Sequence, residues 1–94
     1  MREIYIDFSQ IADYEEFYAQ LKEKLALPDY FGDNLDALYD TISGEISLPL
    51  HLEFVNLSVD QLETFEDLLQ TLEDAEENVS DFSFTYFLEQ FDDK

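Results

Sequence analysis

The order in which the hydrophobic period changes along the chain constrains its fold more than any other feature. Arg2–Phe8, "REIYIDF", alternates: Ile4, Ile6 and Phe8 fall on one side and Glu3, Tyr5 and Asp7 on the other. A period of two describes a strand with one buried face. From Asp13 the period lengthens, with Tyr14, Phe17, Tyr18, Leu21 and Leu25 recurring at three and four, which describes an amphipathic helix. Asp13 is placed to cap it, Glu16 follows in a capping-box-like spacing, and Pro28 stops it. "NLDALYDTIS", Asn34–Ser43, predicts a second, short helix, with Asn34 or Asp33 as its cap and Gly44 as a left-handed C-terminal stop. "PLHLEFVN" alternates again, Leu50, Leu52 and Phe54 inward and His51 and Glu53 outward. Ser58 and Gln61 form a capping box opening "VDQLETFEDLLQTLEDAEENV", whose apolar stripe is Leu62, Phe65, Leu69, Leu72 and Val79. The period leaves open whether one helix or two run through it. "DFSFTYFLE" predicts a third strand, with Phe82, Phe84, Tyr86 and Leu88 on one side.

Strands separated by helices imply right-handed crossovers and a parallel sheet. All three strands alternate instead of reading as continuous apolar runs, so only one face of the sheet is expected to be well covered. The expectation is a two-layer α/β domain, a three-stranded parallel sheet with three to four helices. It forms a single domain over residues 1–94, with a tail, 90–94, that frays. A chain of 94 residues buries roughly 60–65% of its unfolded surface. At 16% aromatic content, Phe and Tyr must supply much of that core.

Charge narrows the functional classes. The chain carries 24 Asp and Glu against 4 Lys and Arg, a formal net charge of −20. From Leu25 to Asp93 there is no Lys or Arg. Nucleic acid and anionic membrane surfaces are therefore excluded as direct ligands, since each phosphate contact would add repulsion. The expected partner is cationic. Without cysteine there is no disulfide, thiolate metal site or thiol nucleophile, and the chain suits a reducing cytoplasm. No apolar run approaches the roughly 20 residues of a membrane span. The free chain is expected to be a soluble, unexported monomer.

The stretch "LPDYFGDNLDALYD", Leu27–Asp40, holds Asp29, Asp33, Asp36 and Asp40 with no Lys or Arg in its sequence. At 100° per residue, Asp36, Tyr39, Asp40 and Ser43 share one side of the short helix, beside an apolar stripe of Leu35, Leu38 and Ile42. Asp36 lies in the first turn, where the helix dipole favours an anion. Asp40 lies toward the other end, where the dipole disfavours one, and also faces a like charge at i−4. A local rule broken without local gain marks a candidate functional position. Tyr30, Phe31 and Tyr39 add aromatic surface of the kind that anchors interfaces, and Gly32 is expected to give the loop a backbone shape closed to other residues.

Catalytic readings fare poorly. Two acids on an exposed helix do not span the concave pocket that a paired-carboxylate hydrolase needs. The lone His51 reads as structural. No Ser-His-Asp set, phosphate loop or zinc spacing is identifiable, and "DAEENVSD" lacks the central glycine and ordered spacing of a calcium loop. The chain reads as a non-enzyme without cofactor or metal.

These residues carry a resemblance. "LALPDYFGDNLDALYDTISGEISLPLHLEF", Leu25–Phe54, resembles the barstar family of intracellular inhibitors of guanyl-specific ribonucleases, and the flanking elements extend the match over nearly the whole chain. It is weakest from Val55 to about Leu69, where the chain looks a few residues shorter and a family helix is either absent or fused. The resemblance implies a three-stranded parallel sheet with helices. It also implies a plug of the nuclease active site by the second helix and its preceding loop, with Asp40 in the place of a substrate phosphate. Tyr30, Asp36, Tyr39, Asp40, Ser43 and Gly44 match the binding segment, and Asp74 matches a further acidic contact. Tyr39 and Glu45 stand where the family carries tryptophans, Ser43 replaces a threonine, and Asn78 stands where another glutamate is expected. The implied function is an inhibitor or immunity protein against a cationic ribonuclease or related toxin. The alternative is an acidic nucleic-acid mimic on the same fold directed at a different basic protein, and salt adaptation is a second source for the excess charge.

Overall fold

The computed structural model describes residues 2–28 and 31–89. Strand β1, Arg2–Asp7, runs into a short 3₁₀ turn at Phe8–Gln10, then helix α1, Tyr14–Leu25, and helix α2, Leu35–Gly44. Strand β2, Leu50–Leu57, leads to helices α3, Val59–Thr64, and α4, Glu66–Asn78, and strand β3, Phe82–Leu88, completes the sheet. The strands lie in the order β1-β2-β3 and all pair in parallel, so the described residues form a three-stranded α/β fold with four α-helices.

The sheet register explains which side chains meet. Ile4 pairs with Leu52 and Ile6 with Phe54, while Leu52 pairs with Phe84. Ile6, Leu50, Leu52, Phe54, Phe82 and Phe84 are all buried. Their rings reach the helices: Phe8 lies 4.6 Å from Phe54 and 5.1 Å, edge-on, from Phe65, and Phe17 lies 5.7 Å from Phe54. Each well-oriented aromatic pair adds about 0.5–1.5 kcal/mol beyond its area burial. The other sheet face carries Glu3, Tyr5, His51, Glu53, Ser83 and Thr85, and is the polar side that strand alternation requires.

Caps set the helix starts. Asp13 accepts from the Glu16 amide, but Glu16 Oε1 reaches one residue further back than a capping box requires, to the Ala12 amide at 2.7 Å. The chain leaves α1 through Ala26 in the left-handed region, φ 54°, two residues before Pro28. Ser58 and Gln61 make the full capping box, and the Gln61 side-chain amide also donates to the Phe8 and Ile11 carbonyls, tying α3 to the turn after β1.

Three expectations are corrected. Gly44 belongs to α2, which ends on Glu45 at φ −124°, and no described glycine has positive φ. The helical region after Ser58 is neither missing a helix nor fused: it breaks at Phe65, whose ring is fully buried and whose backbone leaves the helix. The break resets the stripe, so Leu68 and Ala75 are buried along with Leu69 and Leu72. Finally, β3 outruns the core. Tyr86, in register with Phe54, is 38% exposed, and Leu88, beyond the register shift that pairs it with Leu57, is 44% exposed. The outer edge of β3 is partly protected, because Glu76 on α4 accepts from the Phe84 amide at 3.3 Å. Residues 90–94, expected as a tail, lie outside the described residues.

Candidate functional site

Helix α2 is held at its start and carries its acids outward. Asn34 is the cap, accepting from the Ala37 amide at 2.8 Å. Leu38 and Ile42 are buried and Leu35 and Tyr39 half-buried, which fixes the rotation of the helix on the core. Asp36, Asp40 and Ser43 are exposed, as the helical spacing predicts, whereas Tyr39, which spacing puts on the same side, is half-buried; Gly44 is exposed at the helix end. Ser43 Oγ donates to the Asp40 carbonyl at 3.3 Å, so its hydroxyl turns back on the helix.

The loop before α2 is anchored too. Lys22 of α1 reaches Asp33 at 3.2 Å, an ion pair with both side chains partly exposed. Of the unpaired acids in the sequence stretch, Asp33 therefore has a partner within the chain. Asp36 and Asp40 have no ion-pair partner among the described residues. Gly32 earns its place by close approach, not by backbone sign: an added Cβ would sit 3.2 Å from the Asn34 side-chain nitrogen, crowding the cap. Phe31 is buried, with its ring 6.1 Å from Tyr18. Burial pushes the Tyr18 hydroxyl up to about 12, with smaller contributions from Tyr14 and the Asp33 carboxylate. Tyr30 and Asp29 lie outside the described residues.

Between this loop and α2 lies a pocket of about 160 Å³. Pro28, Phe31 and Ala37 give it apolar walls, Gly32 admits the loop backbone, and Asp40, Glu45 and Thr41 supply its polar groups. Thr41 is 6% exposed and is the one buried polar side chain among the described residues. The sequence stripe omitted Thr41 and gave no sign of the cavity, which exists only because the loop folds back over one turn of α2.

Asp74 lies on α4, which packs against α2. It is exposed and accepts from the Gln70 side chain at 3.1 Å, while its carbonyl accepts from Asn78. The matched residues thus sit on two adjoining helices, five on α2 and one on α4, with Tyr30 undescribed.

A second polar cluster was not legible from spacing. Register sets His51 beside Ser83, and the imidazole Nδ1 lies 2.8 Å from Ser83 Oγ while Nε2 lies 3.2 Å from Glu53 Oε1. Thr85 Oγ1 closes the group at 3.2 Å from Nε2. A serine, a histidine and a carboxylate are thus in contact, although no such set was identifiable in the sequence. Strand amides paired in the ladder do not converge on an oxyanion beside this group. No group of three or more His, Cys, Asp or Glu among the described residues is arranged to hold a metal ion.

Residues 1–89 match the family model described as "Barstar (barnase inhibitor)". The chain belongs to the barstar family. A Bacillus subtilis (strain 168) relative, named "Putative ribonuclease inhibitor YrdF", is 38% identical over 86 residues, which span 86% of this chain and 92% of that protein. As the barstar resemblance read from Leu25–Phe54 implies, the sheet is three-stranded and parallel, and the acidic helix α2 packs against α4. No helix among the described residues is long and apolar enough to cross a membrane.

Proposed function

We propose that this barstar-family chain is a proteinaceous inhibitor, acting in the cytoplasm as an immunity protein, that blocks a cationic ribonuclease by presenting α2 and its preceding loop to the enzyme's RNA site. The observation that carries this reading is Asp40: an exposed carboxylate, on the pocket rim, without an ion-pair partner among the described residues and in the unfavourable half of its helix. A carboxylate so placed costs the free chain a little stability and gains only when cations arrive from outside. Asp36, Tyr39, Ser43, Gly44 and Asp74 surround it on the same two helices, and Tyr30 completes the proposed set. The aromatic and acidic groups suit an arginine-rich, phosphate-binding surface. The chain's own role is binding, not catalysis.

A second reading draws on α4, whose acids Glu66, Glu73, Glu76 and Glu77 lie outside the matched set. Negative charge spread along that helix supports a nucleic-acid mimic directed at a different basic protein. One experiment separates the two. Wild-type chain captures basic proteins from the native lysate, the partner is eluted free of it, and its RNA cleavage is assayed with and without added wild-type or Asp40→Ala chain. Stoichiometric inhibition by wild type, lost in Asp40→Ala, is the expected result. A captured partner without ribonuclease activity, or equal inhibition by both chains, would overturn the inhibitor reading.

A further inference from the structure

The last three residues of β3 put large apolar side chains into solvent one after another: Tyr86, Phe87, which is 54% exposed, and Leu88. The other exposed large apolar residues described, Tyr5, Leu48 and Val59, are isolated in sequence. Strand β3 is also an edge of the sheet, paired only with β2. Its backbone shows which groups face outward. The Leu50 amide donates to the Asp81 carbonyl and the Glu89 amide donates to the Leu57 carbonyl, both at 2.9 Å. Asp81 and Glu89 therefore turn toward β2, and strand alternation turns Phe82, Phe84, Tyr86 and Leu88 away from it. Two of these outward amides are occupied, Phe82 by the Val79 carbonyl at 3.4 Å and Phe84 by the Glu76 carboxylate. Those of Tyr86 and Leu88 have no partner among the described residues. An edge with free backbone groups and apolar side chains is a template for a further strand.

Charge says what kind of strand it takes. Asp81 precedes β3, Glu89 follows it and Glu76 lies alongside, and none of the three has an ion-pair partner among the described residues. From Leu25 to Asp93 the chain has no Lys or Arg to neutralise them. We propose that the outer edge of β3 accepts an extended basic segment of a partner protein as a fourth strand, at a site separate from the matched residues on α2 and α4. Backbone groups of the segment pair with those of Tyr86 and Leu88, and its apolar side chains lie against the same two residues. A carbonyl of the segment takes the Phe84 amide from Glu76, and the released carboxylate pairs with a Lys or Arg of the segment. A second copy of this chain suits the edge poorly, because it would bring another net charge of −20 against the same acids.

The probe is a short peptide alternating valine and lysine, added to the intact protein, with backbone amide hydrogen exchange read by NMR. At a peptide concentration about ten times its Kd, the Tyr86 and Leu88 amides should exchange about tenfold more slowly. Asp40→Ala should leave that protection in place. Glu76→Gln should weaken binding about two- to fivefold, the range for one exposed charge contact. Leu88→Pro removes an outward amide without taking a ladder bond from β2, so it should abolish protection of Tyr86 while the protein stays folded. Two control peptides keep the claim falsifiable on the wild-type chain. One carries glutamate in place of lysine; the other keeps the lysines but has its ladder amides N-methylated. Equal protection by the glutamate peptide would show that charge does not select the strand. Equal protection by the N-methylated peptide would show diffuse attraction in place of strand addition. Protection of Tyr86 and Leu88 that grows with the protein's own concentration, without peptide, would assign the edge to a second copy. Each of these results would overturn the proposal and leave the inhibitor reading, which rests on Asp40, untouched.

Discussion

Helices α2 and α4 pack against each other and are both acidic, but they carry their charge in different ways. Helix α4 holds Glu66, Asp67, Glu73, Asp74, Glu76 and Glu77, with no basic residue in its last turn and no side-chain cap. Helix α2 holds only Asp36 and Asp40, yet it is capped, its loop is latched to α1, and a cavity opens beside its second acid. If the proposed site is α2, density of charge is a poor guide to it. What distinguishes α2 is that its charge is held rigidly next to shaped, partly apolar space, the arrangement in which one contact contributes most. The acids of α4 other than Asp74 raise the field around the molecule and so would affect the rate of encounter more than the lifetime of a complex.

The largest expected effect tests what fixes α4 itself. Its first turn has no capping side chain, and the helix is seated by Phe65, fully buried against Phe8 and 4.8 Å from the ring of Tyr14. Phe65→Ala should cost about 3–5 kcal/mol of stability, measured by urea unfolding with unchanged slope. A loss below about 1 kcal/mol would mean that the break between α3 and α4 is not held by this ring.

Next in size is the contrast between the two helices in binding. Asp40→Ala should leave folding unchanged or slightly improved, since it removes a carboxylate from an exposed, dipole-disfavoured position. Against a partner that buries it among arginines, the same change should cost at least about 2–5 kcal/mol, mostly as faster dissociation. That magnitude is carried over from charge pairs that include the barnase–barstar complex itself. Glu73→Ala removes the same charge from α4 and should slow association slightly, an effect that added salt should erase. Equal losses from the two substitutions would reduce α2 to one more part of a diffuse acidic surface.

The sequence made some of this contrast readable. Local rules located α2, narrowed its cap to Asn34 or Asp33, and gave the outward run of Asp36, Asp40 and Ser43, because each depends on neighbours within one turn. It placed the three strands and the inward residues of β1 and β2, because alternation has a period of two, but on β3 only Phe82 and Phe84 are buried while Tyr86 and Leu88 are exposed. The features it hid are those made between distant segments. Lys22 and Asp33 are eleven residues apart and meet only when α1 and the loop are docked. The cavity lined by Thr41 depends on the same docking. His51 meets Ser83 across two strands. Leu68 was missed because the stripe was followed straight through Phe65, where the helix breaks and its rotation resets.

A smaller effect concerns alkaline pH and the support beneath the loop. Tyr18 is buried under Phe31 with its hydroxyl pushed up to about 12, against 10.0 in an exposed tyrosine. The unfolded chain releases that proton from about pH 10 upward, while the folded chain retains it until about 12. The unfolded state then binds fewer protons, so stability falls across this window and the Tyr18 contribution is intact below it. Tyr18→Phe should remove that part of the alkaline loss, giving a higher melting temperature than wild type at pH 11 than the same comparison gives at pH 8. Identical differences at the two pH values would show that the hydroxyl is not held neutral by its surroundings.

The smallest effect isolates the latch that gives α2 its fixed loop. Lys22 and Asp33 are both partly exposed, so their coupling should be only about 0.2–1 kcal/mol in a double-mutant cycle of Lys22→Gln and Asp33→Asn. Salt gives the measurement its discriminating power, because two electrostatic effects respond to it with opposite sign. Raising ionic strength screens self-repulsion among the 24 carboxylates, so the melting temperature of the whole protein should rise. The same screening weakens one attractive pair, so the Lys22–Asp33 coupling should shrink. A coupling that vanishes even in dilute buffer would mean that the loop is positioned by Phe31 and the Asn34 cap alone. The rigidity that separates α2 from α4 would then come from packing and hydrogen bonding, with no part played by the one cation that faces it.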